Sequence, residues 1–370
     1  MKPLALMLFF VCAAFLGASR AQAMPTFAQA YGLSCNACHT QVPGLNSYGR
    51  YVQRTMYSSL DAATVRRSFP LWVGETVNYA STNANPQFVA GNVALHAAGA
   101  VASDFTYHAQ QWLWAANQPG GLDTLWVSYN NLFDRNGHLV IGKMPAPGPS
   151  FFGFWPDSSS FMTPELTVGE HPYQLDANRW GAKFSYDRKS YVVEGGWFAS
   201  GADLNGAGDF SANNDKTAQW RAAYSPANKP LEVGLYGSTG SFPLAEGGVD
   251  HYNALAVYAQ LDPTKHLPGL IAIYQVGRDN NPGLGLGASS SRAYTAGAYW
   301  KVLRKPDALF GIRREMTNDG LGTITQSADV DFSIQPLHHV QVNIESALAQ
   351  YAKPTWRAYV WWTQPVMSIH

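Results

Sequence analysis

Two cysteines three positions apart, with a histidine directly behind them, stand in the stretch YGLSCNACHT from Tyr31 to Thr40. The thiols of Cys35 and Cys38 can each add to a vinyl group of one haem, giving two thioethers. His39 is then placed to ligate the iron as the proximal ligand. This C-x-x-C-H spacing is the c-type haem attachment signature, and it implies one covalent haem c. A Cys35–Cys38 disulfide would leave the adjacent histidine unexplained. No other cysteine follows residue 23, since Cys12 lies in the apolar leader.

The other face of such an iron can take a second ligand from the protein. His96 and His108 are the leading candidates, His96 slightly ahead. They fall on the inner faces of two consecutive alternating runs, either side of Ser103-Asp104. The plainer reading makes both of them ordinary interior-lining polar residues. Met56 and Met24 are alternatives within the attachment segment, and a methionine ligand would raise the potential relative to histidine. His138, His266, His338 and His339 stand at or beside short turns and read as solvated turn residues. No nucleotide-binding loop, zinc spacing or nucleophile elbow is found.

The elements that must position these residues begin with a leader. Lys2, an apolar run from Leu4 to Leu16 and Ala21-Gln22-Ala23 make a secretory signal over residues 1–23, cleaved after Ala23. Export agrees with haem attachment outside the cytoplasm. The 25 basic and 25 acidic residues balance, so a nucleic-acid partner has no electrostatic support. After the leader no run reaches the roughly 18 apolar residues of a transmembrane helix. Charged residues make up only 14%, against 19 tyrosines and 12 tryptophans, which suits a secreted β protein or an outer-membrane barrel. Residues 24–69 form the haem segment, with short helices and turns over 25–57 and another helical turn or two over 60–67. So short a segment cannot wrap a haem alone and must borrow walls from the rest of the chain.

From Pro70 onward the chain alternates. Trp180, Ala182, Phe184 and Tyr186 oppose Arg179, Lys183 and Ser185; Ala328, Val330, Phe332 and Ile334 oppose Asp329, Asp331 and Ser333. Period two with one apolar and one charged face is a half-buried strand. The runs 252–261 and 308–314 are ambiguous. Short polar breaks, such as Asp187-Arg188 and 262–268, alternate with mostly longer segments, such as 144–177, 200–215 and 278–290. The predicted fold is all-β: a transmembrane antiparallel β-barrel of about 16 strands over residues 70–370, preceded by the short α-helical monohaem segment. A soluble β-sandwich is the alternative. The even strand number returns the C-terminus to the haem's side, although the ending after Trp362 is irregular for such a barrel. The loop 144–177 carries Phe151, Phe152, Phe154, Trp155 and Phe161, an apolar group that either folds in as a lid over the haem or packs on its neighbours or at the lipid interface.

Read whole, PTFAQAYGLSCNACHTQVPGLNSYGRYVQRTMY resembles the attachment region of fused outer-membrane monohaem cytochrome–porins, best known from the iron oxidases of iron-oxidising bacteria. Pro25, Phe27, Ala28, Gly32, Cys35, Cys38, His39, Pro43, Leu45, Gly49, Arg50 and Tyr57 match that pattern. Gln29, Tyr31, Val42, Tyr48 and Met56 depart from it, Met56 standing where the family has glycine. The resemblance implies single-electron transfer across the bacterial outer membrane, from extracellular Fe(II) or another donor to a periplasmic c-type cytochrome or similar carrier. It places the haem segment on the periplasmic side or in the lumen. An Fe(II) oxidase is thus expected; the alternatives are a passive porin with a periplasmic haem domain, or outward transfer to extracellular acceptors. At the extracellular mouth Glu165, Glu170, His171, Glu246, Asp250 and His251 suit an Fe(II) encounter by type, though solvated loop charge is the plainer reading.

Overall fold

The computed structural model describes residues 26–31, 33, 35–41, 44–65, 71–81, 86–115, 118–149, 166–173, 178–188, 190–199, 216–245, 247–304, 307–337, 340–349 and 354–365. The leader, Met24, the aromatic run 151–161, Glu165, Glu246, His338, His339 and residues 366–370 lie outside them.

Sixteen main strands form one antiparallel barrel. The first are Leu71–Ser81, Pro86–Ala102, Phe105–Ala115, Leu122–Leu132 and Gly137–Pro145. Next come Asn178–Arg188, Tyr191–Ala199, Lys216–Tyr224, Leu231–Pro243, Val249–Leu261 and Gly269–Asp279. The last are Ser289–Arg304, Asp307–Asn318, Ile324–Leu337, Val340–Ala349 and Thr355–Pro365. Each pairs with its neighbours in chain order, and Thr355–Pro365 pairs with Leu71–Ser81 to close the ring.

The barrel is inside-out relative to a water-soluble core. Along Val249–Leu261, Asp250, Tyr252, Ala254, Ala256, Tyr258 and Gln260 are buried, while Leu255 and Val257 stand exposed between them. Elsewhere Lys183, Glu194, Arg221, Glu232, Arg313, Asp329 and Glu345 are buried, and Leu125, Val127, Ile141, Val193 and Ile312 face outward. An apolar exterior around a polar interior suits a wall surrounded by lipid. A one-residue slip in register would put those charges into that lipid, so the alternation specifies the pairing strongly.

The two ambiguous runs are strands with atypical inner faces. Tyr252, Ala254, Ala256 and Tyr258 are apolar inside because a hairpin from the longest loop packs on them. Its strands Leu166–Val168 and His171–Tyr173 pair antiparallel, and Leu166, Val168 and Tyr173 bury among Tyr236, Ile271, Ile273 and Tyr299. The run 308–314 is obscured because Arg313 faces Asp329 inside while Arg314 reaches Gln326 outside.

The N-terminal segment comprises helices Thr26–Tyr31, Ser47–Arg54 and Ala62–Val65, with a 3-10 turn at Cys35–Ala37. His39 lies on a small ladder, His39–Gln41 against Gly44–Leu45, where the sequence suggested only helix and turn. One reading of the turns is corrected: His138 is fully buried, with Nδ1 3.0 Å from Asn130 Oδ1, whereas His266 is exposed as expected.

Candidate functional site

The N-terminal segment is knitted together by Asn46, which caps helix Ser47–Arg54 by accepting from the Gly49 amide at 2.9 Å. This cap satisfies a donor that the first helical turn leaves unpaired. The Asn46 side-chain amide also donates to the carbonyls of Asn36 and Ala37, each at 3.1 Å, and its backbone amide donates to Cys38 O at 3.0 Å. Gly49 is required by space: a Cβ there would lie 1.9 Å from Cys38 O. The helix therefore rests directly on the backbone of the C-x-x-C-H turn. Cys38, like His39, is partly buried.

Two arginines on that helix, four residues apart and so on one face, reach into the barrel wall. Arg50 is fully buried, and its guanidinium donates to both Asp262 oxygens at 2.8 and 3.0 Å. Its Nε lies 3.3 Å from Glu232. Arg54 pairs with Asp187 and donates to Ser225 Oγ at 2.6 Å. Asp262 also accepts from the Ser47 amide at 3.0 Å, and Asn36 donates to Asp307 at 2.7 Å. Asp187, Ser225, Asp262 and Asp307 all border the short connections. The segment consequently sits in the lumen at the short-turn end.

The wall charges match this insertion. Among the described residues, the acids Asp187, Glu194, Glu232 and Asp262 outnumber the wall cations of this network, Lys183 and Arg221, with Arg221 binding Glu232 at 2.7 Å and Glu194 at 3.2 Å. Arg50 and Arg54 supply the two missing positive charges. Buried carboxylates without such partners would be costly.

Past the helix, Met56 and Tyr57 have φ of 49° and 66°. These left-handed values disfavour side chains with a Cβ, so a glycine would be accommodated more easily at Met56. Thr106 Oγ1 holds the bend by donating to Met56 O at 2.5 Å. The Met56 side chain packs into the wall against Trp126, Val140, Met144 and Phe198. Tyr57 packs against the same cluster, its ring centroid 4.8 Å from Phe27 and 5.4 Å from Trp126, and places its hydroxyl 2.7 Å from His108 Nδ1. Burial raises the Tyr57 phenol above its ordinary pKa, so it stays neutral.

His108 and His96 do come together, their rings 6.4 Å apart. His96 stacks on Trp72 at 4.9 Å, while His108 meets the N-terminal segment. His108 Nε2 is buried with no hydrogen-bond partner. In the tautomer with the proton on Nδ1, donating to Tyr57, Nε2 presents a free lone pair, the arrangement of an oriented metal-ligating histidine. A partly buried cysteine, an adjacent histidine, aromatic walls and an imidazole nitrogen without a hydrogen-bond partner are residues that would fit a haem c. Of His96 and His108, the latter is the one in contact with the N-terminal segment.

At the opposite end of the lumen, His171 and Asp250 are brought together, joined by Asp279, which sequence reasoning missed. Glu170 is not among them; its Oε2 accepts from the Ala245 amide at 2.7 Å. His251 points outward and is exposed. The anchoring residues Arg54, Asp187, Glu232 and Asp262 were also missed, although the i,i+4 arginines and the acid in the 262–268 turn were visible signals.

Neither protein-family models nor curated proteins match the sequence. Solved structures do. In-vitro folded OmpT, an outer membrane protein of Vibrio cholerae in trimer form, superposes with a TM-score of 0.56 at 12% identity, over 79% of this chain and 98% of that one. The anion-selective porin from Comamonas acidovorans gives 0.55 at 10%, over 80% and 98%. The outer membrane channel DcaP of Acinetobacter baumannii gives 0.54 at 10%, over 80% and 96%. The fold of this chain is therefore that of a porin-like outer-membrane β-barrel.

Proposed function

We propose that this chain sits in the bacterial outer membrane as a cytochrome–porin, its barrel closed by its own haem segment, and carries single electrons between an extracellular donor and a periplasmic carrier. The observation that carries the reading is the buried pairing of Arg50 and Arg54 with Asp262, Glu232 and Asp187. A segment merely hanging in the periplasm would leave those wall acids unmatched. Cys35 and Cys38 would hold haem c, with His39 proximal and His108, oriented by Tyr57, as distal ligand. The bound group supplies one-electron redox chemistry. Lodging that group in the lumen shortens the span across an apolar band about 25 Å tall. Extracellular Fe(II) as donor and inward flow follow from the resemblance of the attachment segment.

The likeness of the barrel to porins favours a second reading, a passive channel. Purified protein separates the two. Under the electron-transfer reading, anaerobic Fe(II) reduces the haem absorption bands and the barrel conducts little in planar bilayers. No reduction by Fe(II) at any pH removes the iron-oxidase reading, and porin-like conductance removes the plugged lumen. His108→Ala should alter the haem spectrum and potential, whereas His96→Ala should leave both near wild type; the opposite pattern transfers the distal role to His96.

A further inference from the structure

At the long-loop end, His171 sits fully inside a cage formed by Tyr173, Phe242 and Tyr252, with ring centroids at 4.3, 4.9 and 4.1 Å. Its Nδ1 lies 2.8 Å from Asp279 Oδ1 and 3.6 Å from Asp250 Oδ2. Both carboxylates are fully buried, Asp250 and Asp279 each at 0% exposure. Asp279 Oδ2 accepts from the Tyr173 hydroxyl at 2.7 Å. Asp250 Oδ1 accepts from the amides of Asn280 and Asn281 at 3.0 and 2.8 Å. Asp250 Oδ2, by contrast, is buried with no hydrogen-bond partner and faces the other two ligand atoms.

We infer that His171, Asp250 and Asp279 form a divalent first-row transition-metal site at the outer mouth of the barrel. Two carboxylates and an imidazole whose ligand atoms all lie within 4.8 Å of one another, shielded from water, call for a positive centre between them. The spacing approaches that of one: the imidazole nitrogen lies 2.8 and 3.6 Å from the two carboxylate oxygens, against about 3.0 to 3.4 Å between neighbouring ligand atoms at bonds of about 2.1 Å, so a small adjustment of the three side chains would seat an ion. The imidazole selects Mn²⁺, Fe²⁺, Co²⁺ or Zn²⁺ over Mg²⁺ and Ca²⁺, which prefer all-oxygen shells. The site also locks the inward hairpin. Gly169 turns it at φ +59°, where Glu170 N donates to Pro282 O at 2.7 Å. A cation would therefore tie the loop hairpin to two barrel strands. Asp250 and the clamp residue Asp262 lie at opposite ends of one strand, about 40 Å apart along it, so this site is separate from the haem segment.

Mn²⁺ is the probe, chosen because it has little affinity for the thiols of Cys35 and Cys38. In detergent-folded full chain, loss of the free-ion paramagnetic resonance signal should saturate at one equivalent. Asp250→Asn and His171→Gln should each weaken binding tenfold or more, and Cys38→Ala should leave it unchanged, which keeps the outcome independent of the haem. Saturation that is absent, or equal in Asp250→Asn, overturns the site in favour of carboxylates held by a shared proton. Should the variants not fold, competition on the wild-type chain decides: Zn²⁺ must displace Mn²⁺ at concentrations where Mg²⁺ does not, and displacement by Mg²⁺ at those concentrations refutes the imidazole ligand.

Discussion

Replacing Arg50 with alanine removes the guanidinium that Asp262 and Glu232 share, and no water reaches that pair: Arg50 and Glu232 are both fully buried. Three contacts at 2.8, 3.0 and 3.3 Å are lost together. Leaving one side of a buried pair uncompensated costs about 3–5 kcal/mol. If that cost falls wholly on the docked state, the balance between docked and released segment shifts by roughly a hundredfold to a few thousandfold. Single-channel recording reads this directly, as a rise in open-state conductance, with trypsin sensitivity of the Ser47–Arg54 helix as a second reading. Combining Arg50→Ala with Asp262→Asn and Glu232→Gln should recover part of the loss, since neutral walls no longer demand the cation. Heat-modifiable migration of each variant establishes that the barrel itself has formed. Unchanged conductance and protease resistance in a folded Arg50→Ala barrel would refute the clamp.

Two further substitutions probe the local reasoning. Gly49→Ala drives a Cβ into Cys38 O, so the helix must lift from the attachment turn; a loss of about 1–3 kcal/mol and lower haem loading per chain are expected, and wild-type haem content would count against the contact. Val257→Arg places a charge on the outward face near mid-strand and should destabilise folding in lipid vesicles by about 2–4 kcal/mol, measured by denaturant titration; a neutral result would mean that this face does not meet lipid.

The chemistry-bearing triplet, the strand periodicity and the alternation of turns with loops were all legible from residue order, because each depends on neighbours within a few positions. Arg313 and Asp329 show the limit: their strands could be read, but their pairing depends on register across a hairpin. The clamp lies further out of reach. Arg50 and Asp262 are 212 positions apart, and Tyr57 and His108 meet only because left-handed turns at Met56 and Tyr57 redirect the chain. Asp279 likewise joins His171 and Asp250 through ring closure and an inward hairpin that no local pattern announces. Sequence alone therefore determined that this protein carries a C-x-x-C-H motif and the alternation of a barrel. Tertiary structure decided that the motif segment sits inside the lumen, because buried charges find partners by position in space, whatever their order along the chain.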